Sequence, residues 1–105
     1  TLYQQKLNEG ADPFYLFSMF IRQFRLLIQA KELAIENYAP QAMARELGIH
    51  DFVASKLNQQ AREFSMRELE HIYRHLLEID VAVKNGKADI RTTLDLLVAQ
   101  LTIAP

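Results

Sequence analysis

The sequence predicts an all-α protein, a single helical bundle of about six helices around one long helix. Apolar residues recur at the spacing of an α-helix, and no segment alternates with period two over the length of a strand. Every Gly and Pro falls at the boundary of a predicted helix or at the end of the chain. With 105 residues, half of them hydrophobic and a quarter charged, the chain is expected to form one globular domain, residues 1–105.

The first residues, 1–11, read as the end of a preceding helix followed by a turn. Residues 2–8 have helical character, and the chain begins without Met. We therefore expect a C-terminal fragment of a longer protein, in which residues 12–105 form the bundle. Asp12 is expected to cap the long helix, with Pro13 at the first helical position, where no hydrogen bond is lost.

The long helix, residues 14–36, has apolar residues around roughly two-thirds of its circumference. Its narrow polar strip carries Arg22 and Arg25, which argue against a membrane span. A helix with this pattern must be covered by neighbours on most sides, so we expect it at the centre of the bundle. The expected apolar positions are Tyr15, Phe17, Met19, Phe20, Ile21, Phe24, Leu26, Leu27, Ile28, Ala30, Leu33 and Ile35.

Local signals also place the next two helices. Pro40 opens a short helix that ends at Gly48, a residue expected at positive φ. Either His50 or Asp51 caps the helix that follows, which extends to Glu63. The expected inward positions of these two helices are Met43, Ala44, Leu47, Val53, Leu57, Ala61 and Phe64.

Two further helices complete the chain. Ser65 and Glu68 have the spacing of a capping box, and Asn85-Gly86 ends the helix that they start. Asp89 is expected to cap the last helix. On the first of these helices the apolar face is formed by Leu69, Ile72, Tyr73, Leu76, Ile79 and Val83. On the last helix the apolar residues in register are Ile90, Leu94, Leu97, Val98 and Leu101.

The segment around Gly48 has the pattern of a helix-turn-helix, in which two short helices cross at a turn. As a DNA-binding module of a regulator, it would read DNA with its second helix. That helix carries Lys56 and Arg62 against Asp51 and Glu63, so it is neutral where phosphate contact requires basic residues. The same unit is common as scaffolding, and DNA reading is kept as the alternative function.

No catalytic, cofactor or metal site is expected. His71 and His75 have the i, i+4 spacing of two metal ligands, but Arg67 and Arg74 share their face and no third ligand is apparent. The sequence has neither a Gly-rich phosphate loop nor a nucleophile with a base and an orienting group. It also has no Cys, which suits a reducing compartment. The net charge of −1 gives no general attraction to nucleic acid or membrane.

Asp80 falls within the apolar face of its predicted helix. A carboxylate in a protein core must be paired, or it costs several kcal/mol. We therefore expect an ion pair between Asp80 and Arg22 or Arg25 of the long helix. Lys84, one turn further along the helix, is the second choice of partner.

Four segments resemble, in order, the C-terminal domain of the delta subunit of the bacterial DNA polymerase III clamp loader. They are RQFRLL, ARELGIHDFVASKL, QAREFSMREL and LLEIDVAVKNGK, and the similarity extends from Asp12 to Leu101. Asp51 departs from the family, which often has Pro after the His. This difference affects only the first helical position.

The resemblance implies an oligomerisation domain, the helical collar that joins the loader subunits in a ring. The parent protein would help to place the sliding clamp on primed DNA during replication in the cytoplasm, and this piece would have no catalytic site, membrane contact or small-molecule substrate. The expected subunit interface consists of apolar residues of the last helix, such as Leu96 and Val98, and of the outer apolar arc of the long helix. Lys84 and Lys87 flank a tight turn and are expected to contact DNA phosphate. Alternatively, they only offset the partial negative charge of a helix C-terminus.

Overall fold

The computed structural model describes the backbone of residues 12–103 and the side chains of residues 12–96. This part of the chain contains no strand, which confirms the all-α class. The predicted helix at residues 2–8 lies outside it, and the central position of the long helix stays a prediction. Within these residues, no helix is both long and apolar enough to cross a membrane. The helices are α1 (Pro13–Ile35), α2 (Pro40–Leu47), α3 (Asp51–Ala61), α4 (Met66–Lys84) and α5 (Ile90–Ile103).

Side chains cap three helix starts at the predicted positions. Asp12 Oδ1 accepts a hydrogen bond from the Phe14 amide at 2.9 Å. At α3 the cap is His50 rather than Asp51, because His50 Nδ1 accepts from the Phe52 amide at 3.1 Å. Asp89 Oδ2 accepts from the Thr92 amide at 3.0 Å and from the Thr92 hydroxyl at 2.8 Å. Each cap satisfies an amide that has no partner within its helix.

Ser65 and Glu68 form the predicted capping box at the start of α4. The Glu68 amide donates to Ser65 Oγ at 3.0 Å, and the Ser65 amide donates to Glu68 Oε1 at 2.9 Å. The hydrogen bond from the Ser65 backbone holds the pKa of Glu68 below its ordinary value, because it favours the ionised carboxylate. The bond from the Thr92 backbone lowers the pKa of Asp89 for the same reason.

Three helices end in a residue with positive φ: Asn37 (68°), Gly48 (66°) and Gly86 (72°). After each of them the next amide returns to a carbonyl of the helix, as when the Lys87 amide donates to Ala82 O at 2.8 Å. This is the pattern of a Schellman motif. The predicted ends at Gly48 and Gly86 are therefore confirmed.

Contacts between residues divide the chain into two compact units. The first unit combines the start of α1, up to Ile21, with the chain from Leu76 onward, and the second unit is Arg22–His75. That residues 1–105 form one domain stays a prediction. The buried residues of the first unit are Leu16, Phe17, Phe20, Leu76, Ile90 and Leu94. Those of the second are Phe24, Leu26, Leu27, Ala30, Met43, Ala44, Ala54, Leu57, Ala61 and Leu69.

Two details of the predicted core are wrong. Tyr15, Met19 and Ile35 of α1 are exposed, so this helix is covered on fewer sides than its apolar circumference suggested. In α3, Val53 is exposed and Ala54 is fully buried, which shifts the buried stripe by one residue at that turn. Helix α3 packs against α2, and its buried stripe passes through Ala54 rather than Val53.

Candidate interaction surfaces

Large apolar side chains are exposed mainly in the first unit. Among the described side chains, those of this unit are Phe14, Tyr15, Met19, Leu77, Val81 and Leu96, and those of the second unit are Ile35, Phe52 and Val53. The second unit is the larger of the two in described residues, so the uneven distribution is not a matter of size. Contiguous exposed apolar residues usually mark a contact surface, and residues one turn apart on a helix are neighbours of this kind.

Leu77 and Val81 form a pair of exposed apolar residues on α4. They are 41% and 58% exposed, and their i, i+4 spacing places them one turn apart on one face of α4. Leu76, directly beside Leu77 in sequence, is fully buried. The sequence prediction identified the buried face of α4 but missed this second apolar stripe.

The first turns of α1 present a similar arrangement. Tyr15 and Met19 are one turn apart and are 62% and 42% exposed. Between them Ser18 donates its hydroxyl to the Tyr15 carbonyl at 2.8 Å, so this serine is engaged with its own helix. Leu16 and Phe17 belong to the buried face of α1. Tyr15 and Met19 therefore form a separate apolar stripe, which is exposed.

The two interface residues predicted on α5 are Leu96 and Val98. Leu96 is 59% exposed, which leaves it available to a partner, while Leu94 is fully buried. Val98 lies outside the described side chains. The role of Leu96 and Val98 in a subunit interface stays a prediction.

Asp80 does not point into a core. Its side chain is 31% exposed, and Lys84 Nζ lies 2.9 Å from Asp80 Oδ2. The assignment to the core, made from helical position alone, was wrong, and Asp80 pairs with Lys84, the second choice of partner. Arg22 and Arg25 are exposed, and their pairing with Asp80 stays a prediction.

Lys84 and Lys87 flank the turn at Gly86, as the sequence indicated. Both side chains are exposed, and Lys84 is the partner of Asp80. The Lys87 amide closes the Schellman motif, so the main chain of this turn is fixed although its ammonium group is exposed. Contact with DNA phosphate is not tested by this geometry.

Helices α2 and α3 pack together in the helix-turn-helix segment. The outer face of α3 exposes Phe52 at 63%, and Lys56 Nζ lies 5.3 Å from the centroid of its ring. Lys56 thus makes a cation–π contact. With Asp51, Arg62 and Glu63 also on the helix or just after it, this face has no excess of positive charge for a DNA backbone.

His71 and His75 are exposed on α4. His71 lines an open cleft of about 550 Å³ together with Ser65, Arg67, Glu68, Glu70 and Arg74. Among the residues that the structure describes, no group of three or more His, Cys, Asp or Glu side chains is arranged to hold a metal ion. Both cations and carboxylates line this cleft, so its charge favours neither an anionic nor a cationic ligand.

A second cleft was not found from the sequence. It lies wholly within the second unit, has a volume of about 330 Å³ and is lined by Lys31, Ala34, Tyr38, Pro40, Asn58, Ala61 and Arg62. Lys31 Nζ donates to Ala61 O at 3.0 Å, which fixes the ammonium group at the end of α3. Its lining comes from two separate segments, residues 31–40 and 58–62, and no local pattern in the sequence shows that they meet.

Known proteins match nearly all of this chain. The family described as "DNA polymerase III delta subunit, C-terminal domain" matches residues 1–101. DNA polymerase III subunit delta of Bacillus subtilis (strain 168) is 32% identical over 100 residues, which are 95% of this chain and 29% of that protein. A solved structure of the Bacillus subtilis DNA clamp loader delta protein superposes with a TM-score of 0.86 at 32% identity, over 94% of this chain and 29% of that one.

The four sequence segments that resemble this family all lie within the matched residues. The chain spans less than a third of the length of these relatives, so the comparison concerns one part of a delta subunit. Within that part the agreement is in both sequence and fold. The chain belongs to the family of C-terminal domains of the DNA polymerase III delta subunit.

Proposed function

We propose that this chain is the collar domain of a clamp-loader delta subunit and acts as an oligomerisation module. It binds the other loader subunits in a ring and so helps to assemble, in the cytoplasm, the complex that places the sliding clamp on primed DNA. The support comes from the family and from the fold of the clamp loader delta protein that this chain resembles. The domain contributes no catalytic group to that process.

The observation that carries the proposal is the concentration of exposed apolar residues in the first unit. Leu77 and Val81 of α4, Tyr15 and Met19 of α1, and Leu96 of α5 are all exposed there. Leaving so many large apolar side chains in water is unfavourable by about 25 cal/mol for each Å². A subunit partner that covers them would recover this energy, as the buried core of a permanent interface does.

The first test is co-elution. The chain is mixed with the other clamp-loader subunits from the same organism and passed over a size-exclusion column with light-scattering detection. We expect the chain to elute in a stoichiometric complex with them. Elution at its own mass in every mixture, with the circular-dichroism spectrum of a folded helical protein, would contradict the proposal.

Contact with primed DNA forms a further part of the proposal, with Lys84 and Lys87 as the phosphate contacts. The lysines are exposed on either side of the Gly86 turn and lie next to a helix C-terminus. A contact of this kind would position the DNA without reading its bases. The same lysines stabilise the helix end in any case, so only a binding experiment separates the two roles.

A further inference from the structure

We propose that the cleft between α1, α2 and α3 in the second unit binds a phosphate group. The cleft is lined by Lys31, Tyr38, Asn58 and Arg62, and all of these belong to the second unit. The inference goes beyond the collar role and is independent of it. The ligand class is a free phosphate ion or the phosphate of a small nucleotide.

The polar side chains of the cleft are donors of complementary kinds. Lys31 supplies an ammonium group, Arg62 a guanidinium group, Tyr38 a phenolic hydroxyl and Asn58 an amide. Lys31, Tyr38 and Asn58 are half-buried, whereas Arg62 is exposed at the rim. Four side chains with donor groups therefore line one space, and charged donors of this kind form the stronger hydrogen bonds to phosphate oxygens.

Lys31 is held in place by the backbone of α3. Its Nζ donates to Ala61 O at 3.0 Å, and Ala61 is the last residue of that helix. This bond also offsets the partial negative charge of the helix C-terminus, which would otherwise oppose an anion. An ammonium group has three donors, so two stay available to a ligand.

The charge of the lining favours a dianion. Two cations and no carboxylate are among the residues that line the cleft. Glu68, on which the charge of Lys31 acts, accepts the Ser65 amide in the capping box and does not line the cleft. A phosphate group carries about −1.5 to −2 charges at neutral pH and so balances two cations, whereas a carboxylate balances one.

The size of the cleft agrees with a small ligand. Its volume of about 330 Å³ lies at the lower end of the range for ligand pockets. That space holds a phosphate group with several waters, since one water occupies about 30 Å³. Pro40 and Ala34 form the apolar part of the wall.

The test is a titration of the ¹⁵N-labelled chain followed by amide shifts at constant ionic strength. Inorganic phosphate and adenosine monophosphate are added in separate arms, with acetate and chloride as comparison anions. We expect saturable shifts at residues 31–38 and 58–62. Equal affinity for the two phosphate compounds assigns the site to the phosphate group alone, and tighter binding of the nucleotide assigns it to a nucleotide.

Variants establish which residues are responsible. Arg62→Gln removes an exposed guanidinium group without disturbing the core and is expected to weaken binding about tenfold, the loss of one charged hydrogen bond. Tyr38→Phe should weaken it several-fold. Arg45→Gln, an exposed arginine of α2 outside the cleft, is the matched control and should bind as the parent chain does.

Three results would overturn the inference. They are shifts that rise linearly and equally with chloride, an Arg62→Gln variant with unchanged affinity, and acetate binding as strongly as phosphate. The amide spectrum of each variant is recorded first, and dispersed signals show that the variant is folded. Because none of these measurements requires the other loader subunits, failure here leaves the collar role untouched, and failure of co-elution leaves this site untouched.

Discussion

Lys84 Nζ lies 2.9 Å from Asp80 Oδ2, and the two residues are one turn apart on α4. The Lys84 side chain is 72% exposed and that of Asp80 is 31% exposed, so water screens the pair. Exposed i, i+4 pairs of this kind contribute only about 0.3–0.5 kcal/mol. The pair makes a small contribution to the stability of the end of α4 and is not part of a core.

Replacement of Asp80 by Asn is therefore expected to lower the free energy of unfolding by less than about 0.5 kcal/mol. Urea unfolding followed by circular dichroism measures this difference. A buried pair with Arg22 or Arg25 would cost about 3–5 kcal/mol when one partner is removed. A loss of that size would contradict the weak surface pair and support the predicted arginine partner.

The lysines at the Gly86 turn give a prediction about salt. If Lys84 and Lys87 each contact one phosphate, then changing both to Ala in the intact loader reduces the slope of log affinity against log salt by about two units. Titration of primed DNA at several salt concentrations measures the slope. Lys56→Ala is the control, because Lys56 lies over the Phe52 ring. An unchanged slope in a normally assembled loader would leave the turn as a helix stop.

The capping box at the start of α4 makes a measurable contribution to stability. Ser65→Ala removes the oxygen that accepts the Glu68 amide, and we expect a loss of about 1 kcal/mol in the free energy of unfolding. Ser55→Ala, an exposed serine within α3, should change it by less than about 0.5 kcal/mol. Equal effects of the two substitutions in urea unfolding would argue that the cap contributes nothing.

The capping carboxylates predict how stability depends on pH. The pKa values of Glu68 and Asp89 are lowered in the folded chain, so the unfolded chain binds more protons. Their contribution is fully present above the ordinary pKa values, about 4, and is lost as the pH falls through the lowered ones. Urea unfolding at a series of acidic pH values tests this. In the Glu68→Gln, Asp89→Asn double variant, the free energy of unfolding should fall less steeply with decreasing pH. An identical decrease in the variant and the parent chain would exclude these two carboxylates as its source.

Features fixed by a few adjacent residues could be predicted from the sequence. The capping box of Ser65 and Glu68 and the helix ends at Gly48 and Gly86 depend on local hydrogen bonds and on one backbone angle, so the sequence contains what determines them. The family could also be recognised, because four segments occur in the same order.

Features that depend on distant neighbours could not be predicted in the same way. Val53 and Ala54 are adjacent and both apolar, and only the packing of α3 decides that Ala54 is buried. Asp80 was placed in the core because its helical position is apolar, yet that position is partly open to water. The cleft that contains Lys31 and Arg62 joins residues far apart in sequence, which periodicity does not reveal.

The exposed apolar residues of the first unit are proposed to bind the other loader subunits. The most direct measurement is the dissociation constant of the complex for a Leu77→Asp, Val81→Asp variant, obtained by titration with sedimentation detection. We predict that it is at least about tenfold weaker than for the parent chain, because a charge is introduced at each of two contact positions. A Phe52→Asp, Val53→Asp variant, with two exposed apolar residues of the second unit, is expected to change it less than about twofold. Equal affinities for the first variant and the parent chain would contradict the account.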